Sequence, residues 1–173
     1  VRFAGLIPAG ATVLDVACGR GRHARWLEAR GWRVTGIDRD AAALAASGSG
    51  ERIAFDLEAG VPWPIGDRRF GAVVVTNYLH RPSFPALLAA LDDGGVLIYE
   101  TFAAGNARFG KPGNPDFLLM PGELLDRCAG LAIVAFEDGL VGAPPHASVQ
   151  RICAVAAREA GRDAGLDAVR HPL

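Results

Sequence analysis

Short, nearly continuous apolar runs separated by helical patterns constrain this chain more than any other feature. VLDVA at 13–17, RVTGID at 33–38, AVVV at 72–75 and GVLIY at 95–99 read as strands covered on both faces, the mark of a parallel sheet. The full pattern places strands over 12–17, 33–38, 52–56, 71–76, 95–100, 131–137 and 148–156. Helical spacing fills the gaps. Over 22–30, His23, Trp26, Leu27 and Arg30 fall on successive turns and Gly31 supplies a left-handed stop. Over 40–46 Asp40 is placed as N-cap, and over 84–91 Ser83 is, with DDGG at 92–95 as the closing turn. Strand–helix–strand units of this kind are right-handed. Between the last two strands stands only EDGLVGAPPH, whose glycines and prolines imply an antiparallel return at one edge. The fold class is therefore α/β, an open doubly wound sheet with helices on both faces.

Composition narrows the function classes. The 173 residues allow one domain with a real core, here taken to span 1–173. An apolar content of 50% argues against disorder, and no run approaches the roughly 20 residues of a membrane span. A net charge of −1 leaves no electrostatic footprint for nucleic acid. Cys18, Cys128 and Cys153 are odd in number, widely spaced and without a CxxC pair. That pattern argues against a disulfide framework or a metal site and, with no leader pattern, fits a reducing cytoplasm.

Ligands in such sheets lie at the carboxyl ends of the strands, where the strand order reverses. The first end reads VLDVACGRGRH, and Gly19-Arg20-Gly21-Arg22-His23-Ala24 formally matches the dinucleotide fingerprint G-x-G-x-x-G/A. Gly19 permits a tight turn, and Gly21 is read as letting the backbone approach a ligand. Asp38 closes the second strand, 19 residues after Gly19, where an acid can accept from both ribose hydroxyls; the alternative is that it only caps the next helix. Two further acids separate the candidate nucleotides. Asp15 sits just before the glycine loop, where it would oppose a pyrophosphate but suit an ammonium or sulfonium. Asp56, in FDLE, ends the third strand where an adenine amine could donate to it. An adenosine carrying no phosphate and a cationic amino-acid tail satisfies both, which describes S-adenosylmethionine and speaks against NAD.

VLDVACGRGRHA, GIDRD, FDLE, FGAVVVTNYLHR and GGVLIYETF, in this order and spacing, resemble the successive motifs of class I S-adenosylmethionine-dependent methyltransferases. The later ETFAAGNARFGKPGNPDFLLMPGELL and VQRICAVA resemble the small bacterial tellurite-resistance-type branch. The resemblance implies a seven-stranded sheet in the order 3-2-1-4-5-7-6 with strand 7 antiparallel. It implies that Asp15 and the backbone at Ala17, Cys18, Gly19 and Gly21 hold the methionyl part. Asp38 would bind the ribose with Arg39 beside the adenine, Asp56 and Leu57 would read the adenine edge, and Asn77 and Tyr78 would lie by the cofactor amino group. It also implies one or two helices before the first strand; only VRFAGLIPAG stands there, so the lid is expected to be short or missing.

The expected reaction is methyl transfer to a small-molecule acceptor, yielding S-adenosyl-L-homocysteine. A general base is required only if the acceptor must lose a proton early. His80 is the candidate base, or else a histidine bonded to backbone; Arg81 is a candidate for an anionic substrate; Glu100, with Thr101, is expected to point into the same cleft. His23 is assigned to loop shape and Cys18 to packing beneath the cofactor. The segment 102–120, holding Arg108 and Lys111, reads as a substrate-side flap. A non-catalytic sensor of S-adenosylmethionine has the same loop and acids, and the sequence leaves the acceptor and a monomeric or homodimeric state open.

Overall fold

The computed structural model describes residues 2–157 of the chain, so the end of the span taken as one domain lies outside the described residues. Seven strands, β1 (Thr12–Val16), β2 (Arg33–Asp38), β3 (Glu51–Ala54), β4 (Phe70–Thr76), β5 (Leu91–Phe102), β6 (Ala132–Val141) and β7 (Ala147–Val155), form one sheet in the order β3-β2-β1-β4-β5-β7-β6. Neighbours from β3 to β5 run parallel, and β7 runs antiparallel to both β5 and β6. The chain walks outward from β1 to β3 and then returns to the other side of β1. The strand order therefore reverses between β1 and β4.

Both faces of the sheet are covered, which is why its central strands carry so few polar residues. On one face Val13, Val34, Val74 and Val96 pack under Ala24 and Leu27 of α1 (Arg22–Glu28) and under Ala4 and Ile7. On the other, Leu14, Val16, Val73, Val75 and Tyr99 pack under Phe84 and Leu87 of α3 (Phe84–Ala89) and Leu124 of α4 (Glu123–Arg127). Alternation along β1 thus sends Val13 and Asp15 to the α1 side and Leu14 and Val16 to the other.

Local chemistry sets most element ends. Asp40 caps α2 (Ala41–Ala45) by accepting from the Ala43 N–H at 2.9 Å. α1 stops at Glu28, and Gly31, at φ 91°, closes its last turn by donating to the Glu28 carbonyl. Two expectations are corrected. Ser83 does not cap α3 through its side chain; its hydroxyl is taken by His80 Nδ1 at 2.6 Å. Residues 92–95 belong to β5, entered through a shift in its register with β4. The segment 102–120 contains 3-10 turns at Asn106–Arg108 and Pro115–Phe117 and leads into α4.

Gly21 has a role different from the one its motif suggests. A Cβ there would stand 2.2 Å from the Ser47 carbonyl oxygen, so the missing side chain admits the end of α2 rather than a ligand. At Gly19 a Cβ would meet nothing within 4 Å, and only φ, at 52°, disfavours a side chain. Gly21→Ala is expected to lower the urea-unfolding free energy by more than 2 kcal/mol or so, adding a clash to a strained φ, whereas Gly19→Ala loses only about 1–2 kcal/mol. Equal losses would contradict this assignment.

Candidate functional site

The chain leaves β1 and β4, the two strands flanking the reversal, through left-handed residues that are not glycine: Ala17 at φ 52° and Asn77 at φ 56°. Such backbone costs about 1–3 kcal/mol per residue, somewhat less for Asn, and persists where the surroundings enforce it. Here they do. The Cys18 N–H donates to the Ile37 carbonyl at the end of β2, and the Asn77 N–H to the Glu100 carbonyl on β5. Asp38 holds the glycine loop from the side, its Oδ2 accepting from the Gly19 N–H at 2.7 Å and its Oδ1 from the Asp40 N–H at 2.9 Å.

Both left-handed residues open on one cleft of about 670 Å³. Its first half is formed by Ala17, Asp38, Arg39 and the stretch from Phe55 to Glu58; Asn77, Tyr78 and Leu79 form its floor. The second half is formed by Thr101, Phe102, the stretch from Lys111 to Asn114, and Phe117. Asp56 Oδ1 accepts from the Glu58 N–H and so fixes the turn after β3. Tyr78 is packed with its hydroxyl buried and without a partner among the described residues, and burial pushes that hydroxyl up to about 12. Tyr99, buried under α3, donates to the Tyr78 carbonyl at 2.7 Å and ties this floor to the core.

Of the residues singled out in the sequence, the cleft gathers Ala17, Asp38, Arg39, Asp56, Leu57, Asn77 and Tyr78, together with Thr101, Phe102 and Lys111. Phe55, Glu58, Asn114 and Phe117 complete it; of these Phe55 stood legible only as the neighbour of Asp56, and Phe117 not at all. Cys18, Gly19 and Gly21 are not among the residues that line it. The Cys18 sulfur rests over Gly36, where a Cβ would come within 2.9 Å of it, and burial pushes its thiol up to about 12. Asp15 lies beneath the loop on the α1 side, 2% exposed, with no partner for Oδ2 among the described residues. Burial pushes its carboxyl up to about 7, against the Ala24 N–H and the charge of Arg52.

The three catalytic candidates are not in this cleft. His80 is turned to Ser83. Arg81 is spent on structure: its Nε and Nη2 grip both oxygens of Glu123 at 2.8 and 2.9 Å, while Nη1 and Nη2 donate to the Asp116 and Leu118 carbonyls. Glu100 faces the opposite side of β5 and pairs with Arg151. It lines a second cleft of about 360 Å³ on the α1 face, with His23, Thr76 and Glu137. Arg108 stacks on Phe109 instead of reaching the site.

The flap is therefore anchored at both ends. Asn106, 2% exposed, donates to the Pro112 carbonyl and accepts from the Ser148 N–H. At the other end Glu123 accepts from Arg81, Arg127 and the Met120 N–H, and these bonds hold its carboxyl down at about 2 despite its burial. Among the described residues no cluster of His, Cys, Asp and Glu is arranged to hold a metal ion, and no helix is long and apolar enough to cross a membrane.

Residues 13–94 match the family described as methyltransferase domain. No curated protein sequence matches the chain significantly. Among solved structures, TehB from Haemophilus influenzae superposes with a TM-score of 0.71 at 18% identity, over 88% of this chain and 59% of that one. This chain thus spans less than two thirds of that protein. A SAM-dependent methyltransferase from Methanosarcina mazei gives 0.71 at 16% identity, over 91% and 98% of the two chains. The 1,6-didemethyltoxoflavin-N1-methyltransferase of Burkholderia thailandensis, solved with its namesake compound and S-adenosylhomocysteine, gives 0.64 at 19% identity, over 90% and 75%. At these identities the likeness is one of fold.

The Glu123 cluster makes a pH-dependent prediction. Its carboxyl lies below the unfolded value near 4.5, so its stabilisation is present above that pH and is lost as pH falls toward 2. Glu123→Gln should flatten the dependence of the unfolding free energy on pH between about 4.5 and 2, measured by urea titration at stepped pH. A slope unchanged by the substitution would contradict the anchoring role.

Proposed function

We propose that this chain, which carries a methyltransferase domain on the class I, S-adenosylmethionine-dependent fold, moves the methyl group of that cofactor to a small polar acceptor bound under the 102–120 segment. The observation that carries this reading is the shared cleft. The strand-end acids Asp38 and Asp56 and the two left-handed exits line one half, and a separate aromatic and cationic wall lines the other.

The residues present fit the cofactor. Asp38 uses one acceptor direction on each oxygen for the loop and retains others, enough for a pair of vicinal hydroxyls. Phe55, Leu57 and Tyr78 offer apolar surface for a purine, with Asp56 able to accept from its exocyclic amine. The open space beside Gly19 leaves the loop backbone approachable. Asn77 presents its main chain at the floor, where an amino group can be held. S-adenosylmethionine supplies a methyl group already activated on a sulfonium.

The chain's own task is then alignment. Phe102 and Phe117 give the acceptor half an apolar wall, and Lys111 with Asn114 orients a polar or anionic molecule. Holding two reactants in line is worth as much as about 7–11 kcal/mol of a barrier. Among the described residues lining this cleft there is no histidine or cysteine; its titratable side chains are carboxylates, Arg39, Tyr78 and Lys111. Tyr78, protonated at neutral pH in any case, is pushed by burial still further from serving as a base. The site therefore favours an acceptor that arrives as a nucleophile, such as a thiolate, a selenide or a metalloid oxyanion, over one that needs a proton removed.

The test is calorimetric titration with S-adenosylhomocysteine and NADH, followed by methyl-transfer assays on thiols, selenite, tellurite and small carboxylates. S-adenosylhomocysteine should bind at least 100-fold more tightly than NADH. Asp56→Ala should weaken it about tenfold, the loss of one charge-assisted hydrogen bond. Lys111→Ala should leave it within about threefold while raising the KM of the acceptor. Failure to bind S-adenosylhomocysteine would overturn the cofactor assignment. Binding without transfer to any acceptor would favour a sensor.

A further inference from the structure

Asp15 is a buried acid for which the proposed chemistry has no use. It sits in β1 in register with Gly36 of β2 and Val74 of β4, on the side of the sheet that α1 covers. The charges facing it come from every neighbouring element except β4, whose Val74 is apolar. α1 contributes Arg22 and the Ala24 N–H, β2 contributes Asp38, β3 contributes Arg52, and the loop contributes the Cys18 thiol. None of these is a dedicated counter-ion. Arg52 is already bonded to Glu28, to the Ser47 hydroxyl and to the Ser47 carbonyl, and Arg22 lies on the surface. With 2% exposure and an Oδ2 that has no partner among the described residues, a full negative charge here is expensive.

Resting on the cofactor reading above, we propose that Asp15 is a proton-releasing counter-ion: neutral before ligand binds and ionised once a sulfonium lies on the 17–21 loop, so that the site tells the methyl donor from its demethylated product by charge. The change is a simple one. The carboxyl O–H bond breaks, the proton passes to solvent, and the carboxylate remains as the partner of the bound cation. The product has a neutral thioether at that position and gives Asp15 no comparable reason to ionise. Turnover then removes the charge that holds Asp15 ionised.

The direction of the Asp15 shift agrees with this. Burial pushes the carboxyl up to about 7, so near neutral pH a large share of the molecules carries the proton. A cation that binds the ionised form must draw on the fraction available, and donor affinity therefore rises with pH until the acid is fully ionised. His23 also lies beside the loop, but burial and Arg22 hold it below its ordinary value, so its titration falls at lower pH.

The experiment is calorimetry of the whole chain at pH 7 in two buffers of different ionisation enthalpy, phosphate and imidazole, with S-adenosylmethionine and S-adenosylhomocysteine as the probes. The expected result is release of about half a proton per donor bound, little for the product, and none for the donor in Asp15→Asn. Donor affinity should also rise about tenfold from pH 6 to pH 8, with product affinity changing less than threefold. His23→Asn should leave both trends intact.

A second readout needs no ligand. Because the folded acid titrates above its unfolded value, it costs stability as pH rises between the two, so ligand-free Asp15→Asn should melt above the natural chain at pH 8 and lose most of that advantage at pH 5. If Asp15→Asn does not fold, infrared difference spectra of the natural chain with labelled aspartate should show the protonated-carboxyl band vanish on donor binding. Equal proton release by both ligands, release that survives Asp15→Asn, or a protonated band that persists would overturn the proposal while leaving the cofactor reading intact. If neither ligand binds, the cofactor reading fails instead, and the melting comparison still decides whether Asp15 is neutral.

Discussion

The reversal of strand order between β1 and β4 is the constraint from which the site follows. Two parallel strands that lie side by side but send their chains in opposite directions leave a gap at their carboxyl ends that no helix can fill. Here both chains turn out of the sheet in left-handed conformation, at Ala17 and at Asn77, and the strain is held by hydrogen bonds to the strands beyond, at Ile37 and Glu100. The sheet therefore enforces an exposed pair of main-chain segments that an isolated loop would not keep. The cleft is the space between them.

What surrounds that gap is assembled from distant parts of the chain by charged hydrogen bonds in partly buried settings. Asp38 is both a wall of the cleft and the clasp of the glycine loop, through the Gly19 N–H. Arg81 belongs to the segment that follows Asn77, and it reaches across to Glu123 and to the Asp116 and Leu118 carbonyls. The segment that follows the floor is thus bonded to the main chain on either side of Phe117 in the opposite wall.

Much of this was legible in the sequence. The apolar run ending on Asp38 gave the end of β2, because a doubly buried strand must become polar where it meets solvent; the run ending on the FDLE acid overshot, since β3 is a partly exposed edge strand that stops at Ala54. Asp15 could be placed at the loop but not its environment; alternation with Val13 was the signal that it faces inward under α1. Arg81 and Glu100 were misplaced for a different reason. Each looks free in the sequence because its partner is far along the chain, Glu123 at a separation of 42 and Arg151 at 51. Gly21 was read as a ligand-facing glycine because its motif says so, whereas the space it leaves is taken by Ser47. Phe117, supplied by a segment without periodicity, gave no local pattern at all.

The most direct test of the account is a crystal structure of the chain soaked with S-adenosylhomocysteine. The account predicts the ribose hydroxyls on Asp38, the purine against Phe55 and Leu57 with its amine toward Asp56, and the sulfur facing the half of the cleft walled by Phe102 and Lys111. A ligand lying instead on the α1 face, among His23, Glu100 and Arg151, would contradict it.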